Sequence, residues 1–216
     1  MDDVISNFDL VLQAFRLTIE LFVVSGILSL IFGTALAAMR VGPVAVLARA
    51  AALYVALVRN TPLLIVFILA TFGLPKLDVQ LPFFVKGVIA LTVYTSAFVC
   101  EAVRSGINSV PLGQAEAARA TGLTFTQTMS NVVLPQALRA VVPPLTSTMI
   151  ALVKNTSVGA VFGLFEATAR MRYFSNNNAS DRTLIFLTFA LGYVIIVELI
   201  SAAGLGLERR GRVAAR

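Results

Sequence analysis

Residues 116–135 read EAARATGLTFTQTMSNVVLP, a polar block set between long apolar stretches. A polypeptide needs no such block to remain in a bilayer. A helix can begin near Pro111, since proline suits a helical first turn, and Glu116-Ala117-Ala118 extends it with small side chains that another protein can approach. Gly122-Leu123 follows, and Gly122 permits the left-handed turn that ends such a helix. The segment from Thr124 to Val133 is polar and then apolar, returning the chain to hydrophobic surroundings before Leu134-Pro135. From composition alone, a docking element and a solvated loop helix stand as equal readings.

The surroundings of this block set the fold class. Of the 216 residues 58% are hydrophobic and 13% charged, and mean hydropathy is +0.88. A soluble domain of this size could not hide that much apolar surface, so the class is an all-α membrane protein. A spanning helix needs about 20 apolar residues to cross roughly 30 Å of hydrocarbon. Five such spans can be drawn, at 17–39, 44–72, 84–103, 136–165 and 183–203, in a single transmembrane domain covering 1–216. The second is interrupted at Arg59-Asn60-Thr61-Pro62, and its first half could lie along the interface instead of crossing. The fourth is expected to bend at Pro143-Pro144, because proline removes a backbone donor and clashes with the preceding turn. The acidic start MDDVISNFDL lacks the basic flank of a signal peptide, so the whole chain is expected to be mature protein.

Charge gives an orientation. Lysine and arginine favour cytoplasmic loops. One side would carry Arg40, Arg49, Arg104, Arg119, Arg139 and the four arginines of the tail; the other would carry Arg16, Lys76, Lys86, Arg170, Arg172 and Arg182. The nine-to-six excess predicts an outside N-terminus, a cytoplasmic C-terminus and a cytoplasmic loop at 104–135. The formal charge of +6 is scattered between apolar spans, which fits contact with anionic lipid and not nucleic acid. A single cysteine, Cys100, excludes an internal disulfide, and with no histidine a metal site is not expected. There is no GxxxxGK[ST] phosphate loop and no nucleophile–histidine set, so no enzyme activity is expected of the chain itself. Small residues Ser25, Ser29, Gly33 and Ala37 recur every four positions, a face that allows close helix approach either within the chain or between subunits. Gly159 and Gly163 form a GxxxG that decides nothing by itself.

Glu116-Ala117-Ala118, then Gly122 after three residues, then Val132-Val133-Leu134-Pro135 after nine, resembles the EAA signature of permease subunits in ATP-binding-cassette importers. Val132 stands where that pattern usually has isoleucine. Glu101-Ala102-Val103-Arg104-Ser105-Gly106-Ile107, Gly113-Gln114, Pro135-Gln136-Ala137, Arg59-Asn60-Thr61-Pro62 and Lys154-Asn155-Thr156-Ser157 look like the polar amino acid branch, the HisM/HisQ-like permeases. The similarity is greatest to glutamate-type permeases of high-GC Gram-positive bacteria and covers about residues 10–205. The resemblance implies five transmembrane helices of the type I importer permease fold with a cytoplasmic coupling helix, in the bacterial plasma membrane. It implies a second permease (a copy or a paralogue), two cytoplasmic ATPases that bind the ATP and Mg, and an extracytoplasmic amino-acid-binding protein. No cofactor is expected in this chain. Glu116, Ala117, Ala118, Gly122, Leu123 and Pro135 are then the ATPase-coupling candidates.

Ionisable groups within spans are costly and usually functional. Arg59, Glu101, Lys154, Glu166 and Glu198 qualify. Arg59, Asn60 and Thr61 precede a helix break whose free carbonyls a cavity could use; Arg59 could instead snorkel or pair with Glu101. Lys154, Asn155, Thr156 and Ser157 form a hydrogen-bonding cluster, with a structural ion pair as the alternative for Lys154. Glu198 reads as structural, and Glu101 as an anchor for the cytoplasmic helices. Many relatives that import basic or neutral amino acids have aspartate at the position of Asn155. Its absence would leave Lys154 free to attract a substrate carboxylate, which points to glutamate and aspartate. An ion-gradient transporter working alone would need a coupling-ion site at the midplane and no cytoplasmic block. An anchor or receptor component would be packed solid, whereas a transporter should show a cavity bordered by Arg59 and Lys154.

Overall fold

The computed structural model describes residues 2–213, with side chains described for residues 4–210. The side chains of Asp2, Asp3 and Arg212, and all of Arg216, lie outside the described residues. Eleven α-helices occur among those residues, with no strand: α1 Asp2–Ser6, α2 Phe8–Val41, α3 Ala45–Arg59, α4 Leu63–Ile68, α5 Leu74–Lys76, α6 Phe83–Asn108, α7 Leu112–Ala120, α8 Phe125–Thr128, α9 Leu134–Thr156, α10 Ala167–Asn177 and α11 Arg182–Val213. In lipid every backbone polar group must be satisfied internally, which is why apolar sequence of this kind folds as helix. Four continuous helical stretches, Phe8–Val41, Phe83–Asn108, Phe125–Phe162 and Ala179–Arg210, are long and apolar enough to cross a membrane. The chain is a multi-pass membrane protein.

The remaining candidate span is broken. Ala45–Arg59 and Leu63–Lys76 meet at 101°. Pro62 cannot donate to the turn before it, and Asn60 Nδ2 and the Thr61 hydroxyl instead donate to the carbonyls of Ala56 and Leu57, each at 2.8 Å. α3 starts just after Arg40, and its last residue, Arg59, comes within 3.9 Å of the carboxylate that Arg40 also reaches. Both ends of α3 therefore sit near one level of the bundle. The first half lies across the bundle instead of spanning it. α4 then climbs toward the other end through a π-helical turn, Leu69–Gly73.

α6 is the central helix. In its apolar window 61% of residues are buried inside the bundle, against 11% for the last span. The small-residue face of α2 packs on α6 within this chain: Ser29 donates to the Thr92 carbonyl at 3.5 Å, and Ala37 shares a core with Ala97, Cys100 and Val55. A Cβ on Gly33 would fall 2.5 Å from that of Val99, so the two helices are in backbone-level contact. α9 crosses the other side of α6, where a Cβ on Gly106 would overlap Val141 and crowd the Ala137 carbonyl at 3.2 Å. Phe67, Leu91, Leu152, Phe162 and Leu164 fill the core between these helices, with the Phe67 and Phe162 rings stacked at 5.3 Å.

α9 keeps α-helical backbone through Pro143-Pro144, the site of the expected bend. Flanking helix supports the two lost donors, while Thr146 and Thr148 turn their hydroxyls back onto the carbonyls of Val142 and Pro144. Gly159 and Gly163 share no helical face, because Ser157–Phe162 is a 3-10 turn that ends at Gly163 with φ +83°. Lys86, counted with the charges of the outer side, is buried at the start of α6; its ammonium donates to the Thr71 carbonyl at 3.4 Å and lies over the Phe83 ring.

Close packing at Gly106 gives a test. Gly106→Ala should lower the thermal midpoint of the purified protein, since overpacking costs about 1–3 kcal/mol. Gly113→Ala, in α7 where a Cβ meets nothing within 4 Å, should raise it slightly, by about 0.5–1 kcal/mol of helix propensity. Equal shifts for the two would contradict the α6–α9 contact.

Candidate translocation cavities and coupling element

α7 carries the alanine-rich half of the polar block, with Pro111 as its N-cap. Gly122 has φ +88°, the left-handed turn expected there, and its amide donates to the Arg119 carbonyl at 3.0 Å while that of Leu123 reaches Ala118 at 3.3 Å. Thr124 then opens a new helix through a reciprocal capping box with Gln127, a Thr-x-x-Gln signal that the block already contained. Met129–Val133 forms a second π turn, and Pro135 sits in the first turn of α9. Within 104–135, α6 runs on to Asn108 and helix resumes at Leu112 and again at Phe125. Glu116 and Ala117 are exposed, whereas Ala118 is buried and faces the body of the protein. Leu112 and Phe125 are strongly exposed at the rim of an apolar hollow of about 500 Å³ that also includes Val41, Ile107 and Met129.

Glu101 on α6 gathers charge from three elements. One oxygen, Oε1, accepts from Arg40 at the end of α2 and lies 3.9 Å from Arg59 Nη1; Oε2 accepts from Arg104 at 2.9 and 3.2 Å. Pairing of Arg59 with Glu101, one of the two structural alternatives for that residue, is therefore present but loose. The Arg59 guanidinium also rests 5.5 Å above the Phe98 ring. Tyr54 pins α3 to α6 nearby, its hydroxyl 2.8 Å from both the Val93 carbonyl and Ser96 Oγ. Arg59, Asn60, Arg40, Glu101 and Phe98 line a cavity of about 440 Å³. Thr61 is not among its lining residues.

The Lys154–Ser157 cluster is split by helical geometry, since successive residues point about 100° apart. Lys154 and Ser157 line a cavity of about 510 Å³ between α9 and α11, with Thr168, Tyr193 and Glu198. No ion pair to Lys154 occurs among the described residues, so its structural-pair alternative is not met. Asn155 faces the other way, into a cavity of about 340 Å³ with Tyr94, Phe98, Ser147 and Thr148. Thr156 is buried and donates to the Val153 carbonyl at 2.6 Å. Among the described residues Arg59 and Lys154 line separate cavities, not the shared one expected. Instead Phe98 is a wall common to the Arg59 and Asn155 cavities. An aspartate at 155 would face away from Lys154, so the idea that losing it frees that lysine does not hold.

One buried acid was underrated by the sequence reading. Glu166, fully buried, is the N-cap of α10: it accepts from the amides of Thr168 and Ala169, each at 3.0 Å, and from the Tyr193 hydroxyl of α11 at 2.7 Å. The next amide, Ala167, donates to Thr18 of α2 at 3.1 Å. An acid directly before Ala167-Thr168-Ala169, after a glycine turn, was the available signal for a cap. Arg40 as partner of Glu101 had no local signal, because 61 residues separate them.

With this geometry in hand, comparison is decisive. Residues 27–212 match the family described as the binding-protein-dependent transport system inner membrane component. The chain belongs to this family. It is 43% identical over 210 residues to the glutamate transport system permease protein of Corynebacterium efficiens, covering 92% of this chain and 91% of that protein. A probable glutamine ABC transporter permease of Bacillus subtilis is 38% identical over 208 residues, covering 94% of each. Among solved structures, an amino acid ABC transporter crystallised with histidines superposes with a TM-score of 0.89 at 27% identity, over 96% of this chain and 97% of that one. The fold is that of the type I ABC importer permeases, and the chain is a permease subunit, not itself a catalytic one.

Burial pushes the Glu166 carboxyl above its ordinary value, opposed by hydrogen bonds from Thr168, Tyr193 and Ala169. In the unfolded chain this acid ionises at its ordinary value, about 4.3, before the folded one does. Its contribution to stability is therefore complete below that value and is lost as pH rises through the raised one. Thermal midpoints measured from about pH 4 to pH 8 should show Glu166→Gln gaining on the wild type as pH rises. A mutant-minus-wild-type midpoint that stays flat or falls as pH rises would contradict this.

Proposed function

We propose that this chain forms part of the translocation path of an ATP-driven importer of acidic amino acids, glutamate foremost and aspartate with it. The observation that carries the cargo is the Asn155 cavity: Tyr94, Thr95, Phe98, Ser147, Thr148, Ala151 and Asn155 line it without a single carboxylate. It offers hydroxyls and an amide where an acid would repel an anionic side chain, and it adjoins arginines across Phe98. The similarity to a glutamate permease agrees with this cargo.

On this reading α7 and its Gly122 turn face the cytoplasm and fit a cleft on one of two ATPases, which bind the ATP and Mg. The alanine surface at Ala117, exposed Leu112 and Phe125, and the neighbouring apolar hollow provide a partner with something to bury. The N-terminus lies outside and the tail inside. A second permease, identical or paralogous, completes the path, and an extracytoplasmic binding protein delivers the amino acid. ATP-driven closure of the ATPases draws the two coupling helices together and opens the cavity outward; hydrolysis resets it. Bistable packing of helix bundles makes such switching possible.

Uptake competition tests the cargo. In vesicles with the full complex, excess glutamate or aspartate should abolish uptake of labelled glutamate, while arginine, histidine and glutamine leave it largely intact. Block by arginine, histidine or glutamine, with none by glutamate or aspartate, would overturn the acidic-cargo reading.

A further inference from the structure

The cluster around Glu101 is unbalanced. Three guanidinium groups, from Arg40, Arg59 and Arg104, converge on one carboxylate, and two positive charges remain uncompensated. No other acid lines the adjoining cavity of about 440 Å³. The three arginines are not equivalent. Arg40 and Arg104 donate hydrogen bonds to Glu101 and are largely covered, with side-chain exposures of 19% and 33%. Arg59 is 45% exposed, stands 3.9 Å from an oxygen already taken by Arg40, and donates no hydrogen bond to any described residue. Its fork of five donors is held over Phe98 with nothing to grip.

We infer that this cavity, on the Arg40 and Arg104 side of the bundle, is a carboxylate-binding vestibule in which Arg59 transfers its fork from Glu101 to a passing anion. The inference deepens the acidic-cargo reading and rests on it for the identity of the anion. Glu101 needs no help from Arg59, since Arg40 and Arg104 already satisfy both of its oxygens. Releasing Arg59 therefore costs one long contact to an oxygen that Arg40 already holds, while a planar carboxylate offers two short charge-assisted bonds. Phe98 keeps the guanidinium parked beside the opening by attraction to the ring face. The same ring borders the Asn155 cavity, so an anion in that compartment is already at the wall beside Arg59. Asn60 stands beside Arg59 on the cavity wall, with its amide nitrogen on the Ala56 carbonyl and its amide oxygen available as an acceptor for an ammonium group.

The local charge can be read with a thiol at Asn60. Cys100, the chain's sole cysteine, is fully buried and should stay unreactive in the unmodified protein, which serves as the control. In the detergent-purified complex carrying Asn60→Cys, modification by an anionic methanethiosulfonate reagent (sulfonatoethyl) is compared with a cationic one (trimethylammonioethyl), each normalised to its rate with a small free thiol. The anionic reagent should react roughly ten-fold faster or more, given two uncompensated charges nearby. Adding Arg59→Gln should cut that ratio several-fold, Arg59→Lys should preserve most of it, and glutamate but not glutamine should slow the anionic reagent. Equal normalised rates, a ratio indifferent to Arg59→Gln, or no protection by glutamate although glutamate competes for uptake would each overturn the inference. Failure of the cargo reading shows separately, in uptake competition, because the rate ratio depends only on the charge of the cavity.

Discussion

A single carboxylate on the central helix organises the functional half of this molecule. Glu101 joins the end of α2, through Arg40, to the end of the transverse helix α3, through Arg59, while Arg104 braces it from its own helix. The contact to Arg59 is loose, so α3 itself rests on α6 chiefly through Tyr54 and the small core of Ala37, Val55, Ala97 and Cys100. The arrangement is partly solvated, which spares it the full desolvation cost of a buried ion pair. It also leaves one arginine under-committed. The same group that fixes the architecture thus defines the electrostatics of the cavity beside it.

Close helix contact makes this geometry possible. Gly33 and Gly106 let α2 and α9 approach α6 from two sides at backbone distance, and Ser29 bonds across the first contact. At the opposite end Glu166 closes the turn before α10 and couples it to α11 and, through its neighbour Ala167, to α2. The polar block sits outside this packed frame. Its two short helices are separated by the one glycine whose backbone requires a left-handed conformation in that loop.

Much of this was legible in the chain. The spans follow from hydropathy, the small face of α2 from its four-residue repeat, and the coupling helix and its turn from Glu116-Ala117-Ala118 and Gly122. The break at Pro62 was visible too, because an Asn-Thr-Pro sequence at a charged residue interrupts any spanning helix. What escaped depends on three-dimensional placement. Lys154 and Asn155 are adjacent in sequence yet line different cavities, because consecutive helical residues diverge. Lys86 falls at the edge of a span in the sequence, and only the packing of Thr71 and Phe83 around it shows that it is buried. The Arg40–Glu101 pair and the Glu166–Tyr193 bond join residues 61 and 27 apart, and no local pattern announces them.

Membership of the binding-protein-dependent permease family and the geometry of the polar block converge on one account, in which a soluble motor moves α7 and the Glu101-tied bundle follows. An autonomous transporter would have no use for such a block. The most direct test reconstitutes the complex in vesicles with the binding protein and collapses all ion gradients. The account predicts glutamate accumulation that requires ATP and the ATPase subunits. Accumulation by this chain on a sodium or proton gradient, with no ATPase present, would contradict it.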